Sequence, residues 1–271
     1  MSKIVFIGGG NMASCLIGGM LAKGFPKQKI LVSEPNSASR ERIASTYGVE
    51  VTEDNLSAVS SAQIILLAVK PQVMSQVAQN LASALSHQPI IVSIAAGIPV
   101  SALQSWLGEQ LKIVRAMPNT PAMVQTGATG LFANQPLSLE EQTTVESIFN
   151  AVGYSCWVEN EGLIDAVTAV SGSGPAYFFL VYEAMQKVAQ ELGLDTATAE
   201  KLTLHTALGA AQLALSSDKP ASELRRQVTS PGGTTQAAVE SFQDQGIEEI
   251  FRRAMNSAAD RAVEMAKDLT N

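Results

Sequence analysis

The first 160 residues alternate short apolar runs with segments of helical periodicity. The apolar runs lie at 3–7, 30–33, 64–69, 89–94 and 112–117, and the helical patterns lie at 12–23, 37–47, 73–85 and 100–107. Continuous apolar strands that alternate with helices are typical of a parallel sheet covered on both faces. Because crossovers between parallel strands are right-handed, we predict an α/β fold with a Rossmann-like, doubly wound sheet.

Two further strand-like segments, 128–133 and 154–158, flank a helical pattern at 139–151 and are expected to extend the sheet. From residue 161 onward only helical patterns follow. They lie at 163–170, 176–192, 196–215, 221–228, 235–245 and 247–269. We therefore predict a dinucleotide-binding domain over 1–160 and an all-α domain over 161–271 that binds substrate and dimerises.

The segment 202–215 is apolar or small nearly all round. A helix without a polar face is buried on every side, and a domain of about 110 residues buries few such helices alone. Two explanations stay open: packing against a second subunit, or a central position in a monomeric bundle.

Composition narrows the function classes. Hydrophobic residues make up 46% and charged residues 16% of the chain, as in globular proteins. The net charge of -7 argues against nucleic acid or an anionic membrane as partner. Cys15 and Cys156 have no metal or redox spacing, and no metal site is expected. The stretch 4–22 is uncharged, but glycines break it after four apolar residues, so we expect a cytoplasmic protein rather than a membrane span or signal peptide.

A glycine loop joins the first predicted strand to the first helix. Its sequence, Gly8-Gly9-Gly10-Asn11-Met12-Ala13, fits G-x-G-x-x-A. Gly8 permits a tight turn, Gly10 lets the backbone approach a pyrophosphate, and Ala13 allows close packing of helix on strand. The diphosphate would meet the amides at the helix N-terminus. The loop therefore predicts dinucleotide binding.

The second predicted strand ends in Ser33-Glu34-Pro35-Asn36, where the adenosine ribose of a dinucleotide is read. An acidic residue there bonds the ribose hydroxyls of NAD and repels the extra phosphate of NADP. However, Ser33, Asn36 and Arg40 would receive that phosphate if Glu34 turned outward. The sequence leaves this choice open.

Several motifs together resemble one family. They are Ala68-Val69-Lys70-Pro71, Ser93-Ile94-Ala95-Ala96-Gly97, Met117-Pro118-Asn119-Thr120-Pro121, Ile164-Asp165-Ala166-Val167-Thr168, Ser171-Gly172-Ser173-Gly174-Pro175-Ala176-Tyr177 and Ser230-Pro231-Gly232-Gly233-Thr234-Thr235. In this order they are similar to pyrroline-5-carboxylate reductase, over essentially the whole chain. The resemblance implies reduction of 1-pyrroline-5-carboxylate to L-proline with NADPH (NADH being possible), by a homodimer or a larger assembly of dimers.

The resemblance also implies the cofactor-binding residues beyond the glycine loop. Ala68, Val69 and Lys70, then Ala95, Ala96 and Gly97, and then Asn119 follow successive strands, and Asn55 matches a position near the adenosine. Ligands of open α/β sheets bind beyond the carboxyl ends of the strands, which agrees with these positions. The side chain of Lys70 is expected to face solvent and to take no part in catalysis.

The segment Ser230–Thr235 has the composition of a turn that opens a helix and presents free amides to an anion. By resemblance, Ser230 and the amides of Gly233, Thr234 and Thr235 hold the substrate carboxylate, and the Thr235 hydroxyl lies near the imine nitrogen. Asp218 matches a family position near the substrate amine, although a solvated turn residue is an equal alternative.

A protonated imine is already electrophilic, so its reduction needs no strong enzymic acid. His87 in a loop and His205 in an apolar helix are accordingly not expected to be catalytic. Two other functions stay open. One is a β-hydroxyacid dehydrogenase, whose base would be a lysine such as Lys187 or Lys201, and the other is a non-catalytic dinucleotide sensor.

Overall fold

A computed structural model describes residues 3–270, which divide into two compact units. The first unit comprises the chain up to Ser173 together with the residues from Ser257 onward, and the second comprises Gly174–Asn256. The predicted domain boundary between 160 and 161 stays a prediction. Its outer limits, residues 1 and 271, lie outside the described residues.

The first unit is built on one eight-stranded sheet. Its strands are β1 (Ile4–Ile7), β2 (Ile30–Ser33), β3 (Glu50–Thr52), β4 (Ile64–Leu67), β5 (Ile90–Ser93), β6 (Ile113–Met117), β7 (Gly127–Ala133) and β8 (Gly153–Trp157). They lie in the order β3-β2-β1-β4-β5-β6-β7-β8. The first six are parallel, β7 runs antiparallel to β6, and β8 runs parallel to β7. This order confirms the predicted doubly wound sheet and its extension by two strands.

Seven α-helices lie between β1 and residue 173. They are α1 (Asn11–Ala22), α2 (Ser37–Tyr47), α3 (Asn55–Val59), α4 (Pro71–Leu81), α5 (Val100–Leu107), α6 (Leu139–Asn150) and α7 (Leu163–Val167). A π turn, Thr168–Gly172, follows α7 where the sequence predicted one continuous helix over 163–170. Two elements, β3 and α3, were not predicted from the sequence. They span three and five residues, which is too short for a periodic pattern to be visible.

Two apolar clusters cover the two faces of the sheet. Side chains alternate along a strand, so Ile4 and Phe6 belong to one cluster and Val5 and Ile7 to the other. Residues of α1, α2 and α6 complete the first cluster, and residues of α3, α4 and α5 complete the second. All four side chains of β1 are at most 1% exposed, which explains its unbroken apolar sequence.

The second unit is helical. Its helices are α8 (Gly174–Glu191), α9 (Thr196–Leu215), α10 (Ala221–Gln227), α11 (Thr234–Asp244) and the first part of α12 (Ile247–Thr270), whose end belongs to the first unit. Helices α8 and α9 pack against each other. However, Leu202, Leu208 and Leu213 of α9 are each more than half exposed. A central position for this helix in a monomeric bundle is therefore wrong.

The uncharged stretch 4–22 does not form one helix. It comprises β1, the glycine loop and α1, whose 12 residues are fewer than the roughly 20 that a membrane span needs. By length and composition alone, one segment of the described chain, Leu163–Glu191, would be long enough and apolar enough to cross a membrane.

Candidate cofactor and substrate sites

The β1–α1 loop has the geometry of a diphosphate cradle. Gly8 has a φ of +99°, and a Cβ added there would lie 2.9 Å from the carbonyl oxygen of Ala68, so no other residue fits without strain. Gly10 is the N-cap of α1 without a side-chain cap, and open space lies beside it. Within residues 3–270, the amides of Asn11 and Met12 donate to no acceptor. Ala13 packs at 1% exposure. The loop thus fits an anion at a helix N-terminus.

The Glu34 side chain, just after β2, turns towards the glycine loop. The Gly9 N–H donates to its Oε2 at 2.8 Å, and the Asn36 N–H donates to its Oε1 at 3.0 Å. Arg40 donates through Nη1 to the carbonyl oxygens of Glu34 and Pro35, at 2.7 and 2.8 Å. Its Nη2 donates to Glu53 at 2.8 Å. The outward orientation of Glu34 that would favour NADP is therefore not the one present.

The remaining polar groups at this end of the sheet bond to one another. The Ser33 hydroxyl donates to Oδ1 of Asn55 at 2.6 Å, and Ser33 is fully buried. Oδ1 of Asn36 accepts the Ser39 N–H at 2.9 Å and thereby caps α2. The structure thus brings Ser33, Glu34, Asn36 and Asn55 together at one edge of the sheet.

The loops after β4 and β5 lie at the same edge. Ala68 and Val69 border Gly8, and Lys70 is the exposed N-cap of α4, as predicted for its side chain. Ala95, Ala96 and Gly97 follow β5, and Ala95 is 9% exposed. A Cβ at Gly97 would lie 3.1 Å from Cδ1 of Leu269 in α12, a neighbour that no sequence pattern indicated.

Asn119, after β6, links two segments of the backbone. Its Nδ2 donates to the Ser171 carbonyl oxygen at 3.0 Å, and its Oδ1 accepts the Ala128 N–H at 2.9 Å. The residue is 8% exposed. These bonds give Asn119 a structural role, whereas its predicted role as a cofactor ligand stays a prediction.

An ion pair near these loops, between Arg115 and Glu161, was not predicted from the sequence. Arg115 of β6 is 7% exposed, and its Nη1 lies 2.7 Å from Oε1 of Glu161. The same oxygen accepts the N–H of Val100, the first residue of α5, at 2.7 Å. Nearby, burial raises the pKa of Asp165, although the charge of Arg115 opposes the rise and that of Glu161 adds to it. An arginine inside the otherwise apolar run Ile-Val-Arg-Ala-Met was the signal available in the sequence.

In the second unit, the Ser230–Thr235 segment opens α11 with Gly233 as N-cap and without a side-chain cap. One predicted free amide is occupied, because the Gly233 N–H donates to the Ser230 carbonyl oxygen at 3.0 Å. Among the described residues, the amides of Thr234, Thr235 and Gln236 donate to no acceptor. Two of the three amides that the sequence offered to a substrate carboxylate, those of Thr234 and Thr235, are therefore free among the described residues, and the role of these amides in binding stays a prediction.

Two other candidates in this unit are exposed. Asp218 lies in the turn between α9 and α10, and Ser230 lies before α11. His205 is exposed too, although its apolar helix led us to expect burial. His87, in the first unit, has Nε2 at 3.0 Å from the carbonyl oxygen of Ala62.

The sheet and its glycine loop define a dinucleotide-binding protein of the Rossmann class with a helical second part. A family model described as pyrroline-5-carboxylate reductase dimerisation matches residues 161–265, and one described as NADP oxidoreductase, coenzyme F420-dependent, matches residues 3–97. The chain belongs to the pyrroline-5-carboxylate reductase family.

Relatives and solved structures cover nearly the whole chain. The pyrroline-5-carboxylate reductase of Pseudomonas aeruginosa is 51% identical over 98% of both chains. The Coxiella burnetii enzyme structure has a TM-score of 0.95 at 42% identity, with 98% of each chain covered. The Plasmodium falciparum enzyme, solved with NADP bound, has a TM-score of 0.84 at 27% identity, also with 98% of each chain covered.

Proposed function

We propose that this chain reduces the C=N bond of 1-pyrroline-5-carboxylate with NAD(P)H and releases L-proline, the last step of proline biosynthesis. The observation that carries the proposal is the turn before α11, in a segment that resembles the family's substrate loop. It offers three amides that donate to no acceptor within residues 3–270. The relatives that match the whole chain bear this enzyme's name, which supports the same activity.

The residues of the turn supply binding and orientation. The amides of Thr234, Thr235 and Gln236 would hold the substrate carboxylate at the positive end of the α11 dipole. The Thr235 hydroxyl would orient the imine nitrogen, and its oxygen would accept the N–H of the protonated imine. When bound, a reduced nicotinamide supplies the hydride. Because the protonated imine accepts hydride readily, the chain's contribution is proximity and electrostatics rather than a strong acid.

The cofactor would lie along the carboxyl edge of the sheet. The glycine loop would hold its diphosphate, and Asn55 with the end of β2 would face the adenosine. The loops at 68–70 and 95–97 and Asn119 would line the remainder. We propose that the hydride donor is a reduced nicotinamide dinucleotide, NADPH or NADH. NADP is bound in the Plasmodium falciparum relative, whereas the contacts of Glu34 favour NADH.

We further propose a homodimer, or a larger assembly of dimers, in the cytoplasm. The dimerisation model begins at residue 161, which supports a domain boundary between 160 and 161. The exposed leucines of α9 supply an apolar surface for a second copy.

The test is an assay of the purified protein with 1-pyrroline-5-carboxylate and each reduced cofactor in turn, followed by the loss of nicotinamide absorbance. Proline should appear in proportion to the cofactor oxidised. Oxidation of hydroxyacids without imine reduction would instead indicate a β-hydroxyacid dehydrogenase. Tight cofactor binding without turnover of any imine acid would indicate a sensor.

A further inference from the structure

We propose that Glu34 makes this chain select NADH over NADPH. The inference rests on the proposed function, because it concerns the cofactor of that reaction. The supporting observations are the hydrogen bonds around the end of β2. They fix the position of the Glu34 carboxylate and occupy the guanidinium group of Arg40.

The carboxylate of Glu34 is held in place by two backbone amides. Gly9 binds one of its oxygens and Asn36 binds the other, at 2.8 and 3.0 Å. A Cβ added at Gly9 would lie 3.5 Å from both Cβ and Cγ of Glu34, so the side chain lies along the glycine loop. The negative charge is therefore fixed beside the loop that would bind the diphosphate.

Arg40 is the residue that would have to neutralise a 2′-phosphate, and its guanidinium group already forms hydrogen bonds within the chain. Arg40 binds two backbone carbonyl oxygens and the carboxylate of Glu53, and its side chain is 19% exposed. Arg42, the next arginine along α2, approaches the Gly9 carbonyl oxygen at 3.4 Å. Both guanidinium groups thus face oxygens of the chain itself.

The uncharged polar side chains at this edge of the sheet, Ser33 and Asn36, also form hydrogen bonds within the chain. The hydroxyl of Ser33 is bound to Asn55, and Oδ1 of Asn36 is bound to the start of α2. The Ser33 hydroxyl and the Arg40 guanidinium therefore already have partners, and the bond to Oδ1 holds the Asn36 side chain against the start of α2. A phosphate would have to break several of these bonds and approach a fixed carboxylate.

A ribose hydroxyl would be attracted to the Glu34 carboxylate, whereas a 2′-phosphate would be repelled by it. It donates a hydrogen bond that a carboxylate accepts, whereas a phosphate presents only acceptors and a like charge. Such a difference is commonly worth about tenfold or more in affinity. Because a relative was solved with NADP bound, the preference has to be measured on this chain rather than taken from its family.

The experiment measures binding to the full-length protein without substrate. NADH and NADPH are titrated by nucleotide fluorescence, and 5′-ADP and 2′,5′-ADP are titrated by calorimetry to isolate the adenosine end. We expect NADH and 5′-ADP to bind at least about tenfold more tightly than their 2′-phosphorylated counterparts. In Glu34→Gln the ratio should fall by about tenfold, chiefly because NADPH binds more tightly.

Two variants serve as controls. Glu41→Gln removes a charge from an exposed position on α2 and should leave the ratio unchanged. Arg40→Met should change both affinities by the same factor. A wild-type preference for NADPH, an unchanged ratio in Glu34→Gln, or a selective loss of NADPH binding in Arg40→Met would each overturn the proposal.

Circular dichroism checks that the variants fold, and the wild-type comparison of the two ADP ligands needs no variant. Because these measurements require no turnover, a failure to reduce 1-pyrroline-5-carboxylate would overturn the proposed function without changing the outcome for Glu34. Absence of binding by all four ligands would overturn the inference itself.

Discussion

Arg115 and Glu161 form an ion pair, with Nη1 and Oε1 2.7 Å apart, that joins the sheet to the residue at which the dimerisation match begins. The Arg115 side chain is 9% exposed and that of Glu161 is 30% exposed. Since the same Glu161 oxygen accepts the Val100 N–H, one carboxylate holds β6, the start of α5 and the chain before α7 together.

Glu161→Ala should lower the free energy of unfolding by about 2–4 kcal/mol, because it removes the carboxylate that is hydrogen-bonded to the buried guanidinium of Arg115. Glu161→Gln should lower the free energy of unfolding by less, since an amide oxygen can still accept the Val100 N–H. Urea denaturation measures both. The control is Glu159→Ala, which changes an exposed acid two residues earlier. Equal, small losses in all three variants would show that the pair does not stabilise the fold.

Under the proposed function, Thr235→Ala should lower kcat for 1-pyrroline-5-carboxylate by about 10- to 100-fold and leave cofactor binding nearly intact, because it removes only the hydroxyl that would face the imine. Thr235→Ser should restore most of the activity. Steady-state kinetics, with fluorescence titration of the cofactor, measure both effects. Thr229→Ala is the control, since that hydroxyl is bonded to the Arg225 carbonyl oxygen. Wild-type kinetics in Thr235→Ala would remove this residue from the mechanism.

Asp165→Asn should stabilise the protein at neutral pH. Burial raises the pKa of Asp165 above the ordinary 3.8, so the fold favours its protonated form. The stability that this preference contributes is complete below the unfolded pKa and is lost as the pH rises through the folded pKa. Because the group is partly exposed, the gain from asparagine should stay below about 1 kcal/mol.

The measurement is thermal unfolding of wild type and Asp165→Asn between about pH 4 and pH 8. The difference in melting temperature between the two proteins should become smaller as the pH falls. Asp244→Asn, at an exposed position on α11, should show no such trend. A variant less stable than wild type at neutral pH would contradict the expectation.

Leu208→Glu should weaken self-association. Leu208 is 53% exposed on α9, in the apolar surface that we propose for the second copy, and a charge buried there would cost binding free energy because it loses its hydration. Light scattering across a dilution series should show dissociation at higher protein concentration than in wild type. Leu139→Glu is the control, since Leu139 is 79% exposed at the start of α6 in the other unit. Equal masses for all three proteins at every concentration would exclude α9 from the interface.

Much of the fold was predictable, because buried parallel strands and their helices leave a strong apolar pattern. The bounds of α2, α5 and α9 agree with the pattern at both ends. The end of α12 was not predictable in the same way. Its periodicity shows a helix, but only packing shows that Leu269 contacts the apolar cluster on one face of the sheet.

The candidate sites, like the fold, have some features that the sequence predicts and others that only the structure shows. Gly8 indicates a tight turn, since few other residues tolerate its positive φ and its close contact with Ala68, and Gly10 leaves open space beside the loop for a ligand. Their spacing does not reveal which amides stay free. The Gly233 amide is taken by a carbonyl oxygen three residues earlier, and turn geometry of that kind depends on dihedral angles that composition does not specify.

Sequence alone determined the class of sheet, the dinucleotide loop and the family, because these depend on local patterns and on ordered motifs. Tertiary structure decided the direction of Glu34, the partner of Arg115 and the exposure of α9. Glu34 lies 25 residues from Gly9, and Arg115 lies 46 residues from Glu161. Contacts over such separations form only when packing brings the segments together, and no local pattern encodes them.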